Sequence, residues 1–209
     1  DQPVNEDAGA QTVSGWATSL SAGPSNESSQ TLTFLVTDNS NPGLFSSGPA
    51  VSSTGTLSYT PAANANGSAT ITLVLQDNGG GTDTSAPQTF TITVNPVNDT
   101  PSFVKGADQT VDEDAGLQSV SGWATAILAG PPNESSQILT FAVTNNSNPG
   151  LFVVAPFFDA SNTATPGALH YTAAGNMYGT ATIVVQAVDN GGTANGGVDT
   201  SATQTFTIV

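Results

Sequence analysis

Asn95-Pro96-Val97-Asn98-Asp99-Thr100-Pro101-Ser102-Phe103 is the stretch on which the reading of this chain turns. It follows an alternating run, Gln88-Thr-Phe-Thr-Ile-Thr-Val94, and precedes a second copy of nearly everything before it. Two prolines remove backbone donors and hold the segment extended, so it reads as a stiff connector and not as a flexible tether. Between them stand an amide and a carboxylate, Asn98 and Asp99, in a chain whose only Lys or Arg is Lys105. The connector is therefore expected to be the centre of a metal site joining two like domains, residues 1–97 and 98–209, with 95–103 as the linker.

The repeat extends outward from this stretch. Val4-Asn-Glu-Asp-Ala-Gly9 returns as Val111-Asp-Glu-Asp-Ala-Gly116, and Ser14-Gly-Trp-Ala-Thr18 as Ser121-Gly-Trp-Ala-Thr125. Gly23-Pro-Ser-Asn-Glu-Ser-Ser-Gln30 returns as Gly130-Pro-Pro-Asn-Glu-Ser-Ser-Gln137. The second copy then carries longer loops, so Leu57-Ser-Tyr-Thr60 pairs with Leu169-His-Tyr-Thr172 and Asp77-Asn-Gly-Gly80 with Asp189-Asn-Gly-Gly192.

Within each copy the hydrophobic period is two. Ile71, Leu73 and Leu75 alternate with Thr72, Val74 and Gln76, and Phe90, Ile92 and Val94 alternate with threonines. Turn clusters interrupt the runs, and no segment carries a capped helical stripe. Strands are expected in the first copy near residues 2–4, 11–18, 31–37, 44–52, 56–60, 69–76 and 88–94. Seven short antiparallel strands in about 100 residues describe an immunoglobulin-like sandwich. The fold class expected is all-β, two tandem seven-stranded antiparallel Greek-key sandwiches. Trp16 and Trp123 fall on the second strand of each copy and read as core residues, as do Tyr59 and Tyr171.

Charge sets limits on partners. The formal charge is −15, from 16 acids against one Lys, so nucleic acid and anionic membranes are disfavoured. The absence of Cys excludes disulfides, zinc thiolate sites and thiol catalysis. No apolar run approaches the ~20 residues that span a bilayer, and no signal peptide is read. The chain starts and stops inside its own repeat and is expected to be a fragment of something longer.

Strand parity brings the acids together on paper. In such a sandwich, connections after odd strands lie at one end and those after even strands at the other. Glu6 and Asp7 of the first copy, Glu134 and Asp189 of the second, and Asn98 and Asp99 of the linker are thereby expected at one junction. Carboxylates and amide oxygens without a neighbouring cation form a hard-oxygen set, which suits Ca²⁺ and not zinc or copper. Glu27, Asp77 and Glu113 would be the corresponding half-sites at the outer ends.

Asn98-Asp-Thr-Pro-Ser-Phe103 resembles the cadherin linker motif, shortened as in bacterial cadherin-like repeats. Glu6 and Glu113 are similar to the cadherin first-strand glutamate, and Ala187-Val-Asp-Asn-Gly191 to its A-x-D-x-G motif, with Gln76-Asp-Asn-Gly79 a weaker version. The resemblance covers both copies and implies interdomain Ca²⁺ in a rod-like array, as in large bacterial surface proteins and giant adhesins. Two places depart from the family: Gly-Pro-Pro-Asn-Glu-Ser stands where a D-x-D motif is usual, and Asn64-Ala-Asn66 where a glutamate follows strand 5.

Catalysis finds little support. His170 is the only His, on a strand position alternating with core residues and read as exposed, and no nucleophile–base pair can be assembled around it. The reading is a non-catalytic, monomeric, extracellular or cell-surface spacer or adhesion module, stiffened by Ca²⁺, whose partners are neighbouring repeats of its parent chain. The alternative is a glycan- or protein-binding accessory module using Asn41-Pro-Gly-Leu-Phe45, Pro156-Phe-Phe158 or the insert around Asp159 to Thr165, with cell-surface glycan or protein as partner.

Overall fold

Residues 67–76 show how the sequence makes its strands: Ala69, Ile71 and Leu73 are buried while Ser68, Thr70 and Thr72 turn outward. Each fully buried Ile or Leu contributes roughly 1.5–3 kcal/mol relative to exposure, and a one-residue slip would reverse every side chain. The computed structural model describes residues 1–209. Its chain divides into two units, Asp1–Val97 and Asn98–Val209.

Unit 1 contains β1 (Gln2–Asn5), β2 (Gln11–Val13), β3 (Thr33–Asn39), β4 (Phe45–Val51), β5 (Leu57–Pro61), β6 (Gly67–Gln76) and β7 (Gln88–Asn95). One sheet has the order β1-β7-β6-β3 and the other β2-β5-β4. Leu57, Tyr59, Ile71, Leu73, Phe90 and Ile92 meet in the core they enclose.

Unit 2 contains β8 (Ser102–Val104), β9 (Leu117–Val120), β10 (Thr125–Leu128), β11 (Thr140–Asn146), β12 (Phe152–Phe158), β13 (Leu169–Ala173), β14 (Ala181–Val188) and β15 (Gln204–Ile208). Its sheets are β11-β14-β15 and β12-β13-β9, with a two-stranded piece, β10-β8. Leu169, Tyr171, Ile183, Val185, Phe206 and Ile208 fill the core between them, with Trp123 and Phe103. Both units are all-β sandwiches.

Two details differ from the sequence expectation. The sheets are not wholly antiparallel, because β1 runs parallel to β7, and Gln109 makes the corresponding parallel bridge to Ile208. A first strand laid beside the last occupies a sheet edge, where Pro3 can sit without a missing ladder bond. The second strand also stops early, at Val13, so Trp16 stands beyond it. Gly15, at φ +65, turns the chain there. Trp16 packs on Phe90 with ring centroids 4.5 Å apart. Trp123, 3% exposed, is anchored by its Nε1, which donates to the Ala107 carbonyl at 2.9 Å.

Candidate metal and linker site

The sequence-expected ligands fall into two groups, each within one unit. At the end of unit 1, Glu6 follows β1 and is 3% exposed. Its Oε1 accepts the Val97 N–H at 2.7 Å, its Oε2 accepts Asn66 Nδ2 at 3.2 Å, and its own N–H donates to the Asn95 carbonyl at 2.9 Å. The glutamate thus fastens the departing chain to the body of the unit. Asp7 is exposed, and its Oδ1 accepts the Asn64 N–H at 3.0 Å. Its counterpart Asp114 does the same for Asn176 at 3.1 Å.

In unit 2, Asn98 and Asp99 are built into the sandwich. Asn98 is 9% exposed. Its Nδ2 donates to Asp189 Oδ1 at 2.9 Å and to the Val198 carbonyl at 2.9 Å. Its Oδ1 accepts Gln137 Nε2 at 2.8 Å, and its carbonyl accepts the Val198 N–H at 2.9 Å. Glycine makes this approach possible, since a Cβ on Gly191 would strike the Asn98 amide. Asp99 donates its N–H to Glu134 Oε1 at 3.0 Å. Glu134 is 6% exposed and ends a short 3₁₀ turn, Pro132–Glu134.

Asp189 is the most demanding group. It is 7% exposed. Its Oδ1 takes both Asn98 Nδ2 and the Gly191 N–H, the latter at 2.9 Å. Its Oδ2 is buried and has no hydrogen-bond partner. The Oε1 atoms of Gln137 and Gln30 share that condition. Two carboxylates of unit 2, Glu134 and Asp189, therefore bond to the two linker residues Asp99 and Asn98, but no group of three or more His, Cys, Asp or Glu side chains closes to metal-binding distance. The sequence groups Glu134 and Asp189 with Asn98 and Asp99 as candidate metal ligands; in the structure the Asn98 amide donates directly to Asp189 Oδ1.

Sequence reasoning missed a second polar cluster. Asp159 Oδ2 accepts the Thr165 hydroxyl at 2.6 Å and lies 3.2 Å from His170 Nε2. These bonds hold the Asp159 carboxyl below its ordinary value, the Thr165 hydroxyl first and the His170 ring next. The His170 ring stacks on Phe157, with centroids 5.0 Å apart and planes 24° apart. His170 is therefore partly enclosed and not simply exposed, with a side-chain exposure of 17%. The cluster closes the loop that unit 2 carries and unit 1 lacks. That length difference was the available signal. Phe157 and Phe158 lie on β12, where Phe158 joins the core and Phe157 stays 47% exposed.

Two sandwiches in tandem, with acids fastening the chain where it passes from one unit to the next, define a cadherin-like, immunoglobulin-like repeat pair. Residues 1–95 match a family model described as a bacterial Ig domain. Unit 2 repeats much of the sequence of unit 1 and is likewise an all-β sandwich. Among solved structures it is similar to human protocadherin-24 EC1-2, at 14% identity and a TM-score of 0.54, covering 99% of this chain and 92% of that one. It is also similar to mouse cadherin-23 EC22-24, at 15% identity and a TM-score of 0.52, covering 99% of this chain and 62% of that one. At these identities the likeness concerns the fold. No curated protein matches the sequence. No helix is long and apolar enough to cross a membrane.

Proposed function

We propose that the chain is a non-catalytic spacer or adhesion module of a long extracellular bacterial repeat protein, with Ca²⁺ held around linker residues Asn98 and Asp99. One observation carries the reading: Asp189 Oδ2, a buried carboxylate oxygen with no hydrogen-bond partner, next to the linker. A buried carboxylate is costly unless a proton or a cation meets it. Lys105 is the only Lys or Arg available to all 16 acids.

The donor set fits a hard cation, since it offers carboxylate, amide and carbonyl oxygens and neither thiolate nor a second imidazole. Asp189, Asp99, Glu134 and Asn98 of unit 2, with Glu6 and Asp7 of unit 1, are the residues that would hold it. The ion would neutralise like charges that otherwise repel. Glu6 and Asn98 bind consecutive parts of the linker to their own units, so a cation shared by their neighbours would restrain the residues between. The domain boundaries 1–97 and 98–209 belong to this reading, as do neighbouring repeats as partners and a monomeric state.

Calcium titration of the whole chain by calorimetry, with scattering in CaCl₂ and in EGTA, tests it. Binding at roughly 10⁻⁴ to 10⁻³ M is expected, with a larger maximum dimension in calcium and a loss of about tenfold in affinity for Asp189→Asn. Superimposable scattering curves, together with no heat of binding, would overturn it.

A second reading, a glycan- or protein-binding module, is favoured by the outer face of unit 2. The register sets Phe157, His170 and Ser119 in one row and Val154, Thr172 and Leu117 in the next. Leu117 is 65% exposed, Phe157 47% and Val154 39%. The matching rows of unit 1 read Ala50, Ser58, Thr12 and Ser47, Thr60. Of these two matching faces, that of the second repeat is the apolar one, the kind of patch that marks interaction sites.

A further inference from the structure

β12 ends at Phe158 and β13 begins at Leu169, whereas in unit 1 β4 ends at Val51 and β5 begins at Leu57. The longer connection, 159–168, is fastened at both its middle and its base. Ser161 donates its N–H to the Leu139 carbonyl at 2.8 Å, and its Oγ accepts the Leu139 N–H at 2.9 Å. Gly167 donates its N–H to the Asp159 carbonyl and accepts the Ala124 N–H, both at 3.0 Å. A Cβ on Gly167 would strike Ala124 and Ile127, so the loop lies close against the body of unit 2.

Residues of this loop and of the stretch 127–139 enclose a cavity of about 570 Å³, lined by unit 2 alone. Leu128, Pro132 and Ile138 give it apolar walls, and Ser136, Gln137 and Asn162 give it hydroxyl and amide groups. No charged side chain lines it, although the chain carries 16 acids. Glu134, the one acid of the adjoining turn, is buried and spends its Oε1 on the Asp99 N–H. The backbone is equally committed. The N–H groups of Gln137, Ile138 and Leu139 go to the Glu134 carbonyl, Asn190 Oδ1 and Ser161 Oγ, each at 2.9 Å. An added peptide strand would find no run of free donors along this wall, so strand addition has nothing to pair with. Recognition is left to neutral side-chain hydroxyls and amides set among apolar walls.

We propose that this cavity of unit 2 binds a neutral oligosaccharide. A sugar ring has an apolar C–H face and a rim of hydroxyls, which matches walls of Leu128, Pro132 and Ile138 beside Ser136 and Asn162. Acidic sugars are disfavoured by the formal charge of −15, and a cationic ligand would meet no carboxylate in the lining. Two prolines and the fastened loop set the walls before a ligand arrives, which lowers the ordering cost of binding. The site goes beyond a spacer role, belongs to the second repeat, and is separate from the exposed row of Val154 and Phe157. Its signal in the sequence is the extra length between β12 and β13.

The test uses the whole chain in EGTA, so that it stands apart from calcium binding. Cellobiose, maltose, lactose and N,N′-diacetylchitobiose are titrated in one at a time and followed by amide NMR. With at least one of them, saturable shifts are expected at residues 135–138 and at the Asn162 side-chain amide. Ser136→Ala combined with Asn162→Ala should weaken that binding by about tenfold, the equivalent of one hydrogen bond to a neutral partner. Both positions are exposed, so the fold should be kept. As a second variant, residues 159–168 are replaced by the sequence of residues 52–56, which removes one wall and should abolish the shifts. No shift at these amides with any of the sugars would overturn the proposal, as would equal binding by the doubly substituted chain. Shifts at Phe157 and His170 in their place would overturn it too and assign binding to the outer face. The calcium response of the linker is read apart from all of these outcomes.

Discussion

Asn98 donates its side-chain amide to Asp189 Oδ1 at 2.9 Å, joining the linker to a loop 91 positions away in sequence. The bond is charge-assisted and buried, which makes it one of the stronger kinds of hydrogen bond in a protein. Replacing Asn98 by Ala leaves Asp189 and Gln137 without that partner and should cost unit 2 about 1–3 kcal/mol. Asn98→Asp should cost more at neutral pH, because it sets a second carboxylate against Asp189. Chemical denaturation in EGTA, followed through Trp123 fluorescence, reads both. Equal stability of Asn98→Asp and wild type would show that the amide carries none of the attachment.

Much of this arrangement is legible in the sequence, for identifiable reasons. Period-two burial along β6 and β7 is dictated by alternation, and the repeat places both units once one has been read. Loop parity groups Glu134 and Asp189 with Asn98 and Asp99 as candidate ligands, and these four are joined by hydrogen bonds within unit 2, whereas Glu6 and Asp7, grouped with them by the same parity, bond to residues of unit 1. The direct amide-to-carboxylate bond was not legible. It depends on Gly191 lacking a Cβ, a steric fact that charge patterns do not carry. The early end of β2 depends on a left-handed Gly15, which the run of residues 11–18 conceals. The pairing of Asp159 with His170 arises in a loop with no copy in unit 1, where repetition offers no guide.

Each unit has a core cluster of its own. Leu57 and Leu169 occupy equivalent places and are both 0% exposed. Truncation of either to Ala should cost about 2–5 kcal/mol through lost burial and the cavity left behind. Native-state proteolysis should then show cleavage confined to the unit that carries the substitution. Cleavage spread evenly over both units after either change would contradict separate cores.

Asp159 sets a pH dependence whose sign can be worked out. Its carboxyl lies below the ordinary value of 3.8, held there by the Thr165 hydroxyl and then by the His170 ring. A depressed folded-state value stabilises the fold above the unfolded value, and that contribution is lost as pH falls through the folded one. Asp159→Asn should therefore lower the denaturation midpoint at pH 7 and at pH 5, and the gap to wild type should narrow below pH 3.8. Thr165→Val should reproduce part of the loss. A gap that widens in acid would reverse the assignment.

The apolar face of unit 2 can be converted to the composition found in unit 1. Phe157→Ala and Val154→Ser write Ala50 and Ser47 into their equivalent places. Both residues are exposed, so the pair should change stability only slightly, by roughly 0.5 kcal/mol each. If this face binds glycan or protein, retention on polysaccharide gels or partner-coated sensors should fall with the same two changes. Retention equal to wild type would remove this face from the binding surfaces.

Glu6 and Asp7 separate structural from ionic roles. Glu6 is buried with both oxygens engaged, Oε1 by the Val97 N–H and Oε2 by Asn66 Nδ2. Glutamine has one acceptor end, so Glu6→Gln sets a donor against a donor and should cost about 1–3 kcal/mol even in EGTA. Asp7 is exposed at φ +61 and uses one oxygen, toward the Asn64 N–H. Asparagine tolerates that backbone conformation and keeps the acceptor, so Asp7→Asn should leave stability unchanged within roughly 0.5 kcal/mol. It removes one charge and little else. Calcium affinity should then fall in both variants, but stability in EGTA only in Glu6→Gln. A chain with Asp7→Asn that binds calcium as wild type does would remove Asp7 from the ligand set. A chain with Glu6→Gln that keeps wild-type stability would show that the bond to Val97 does not fasten the linker.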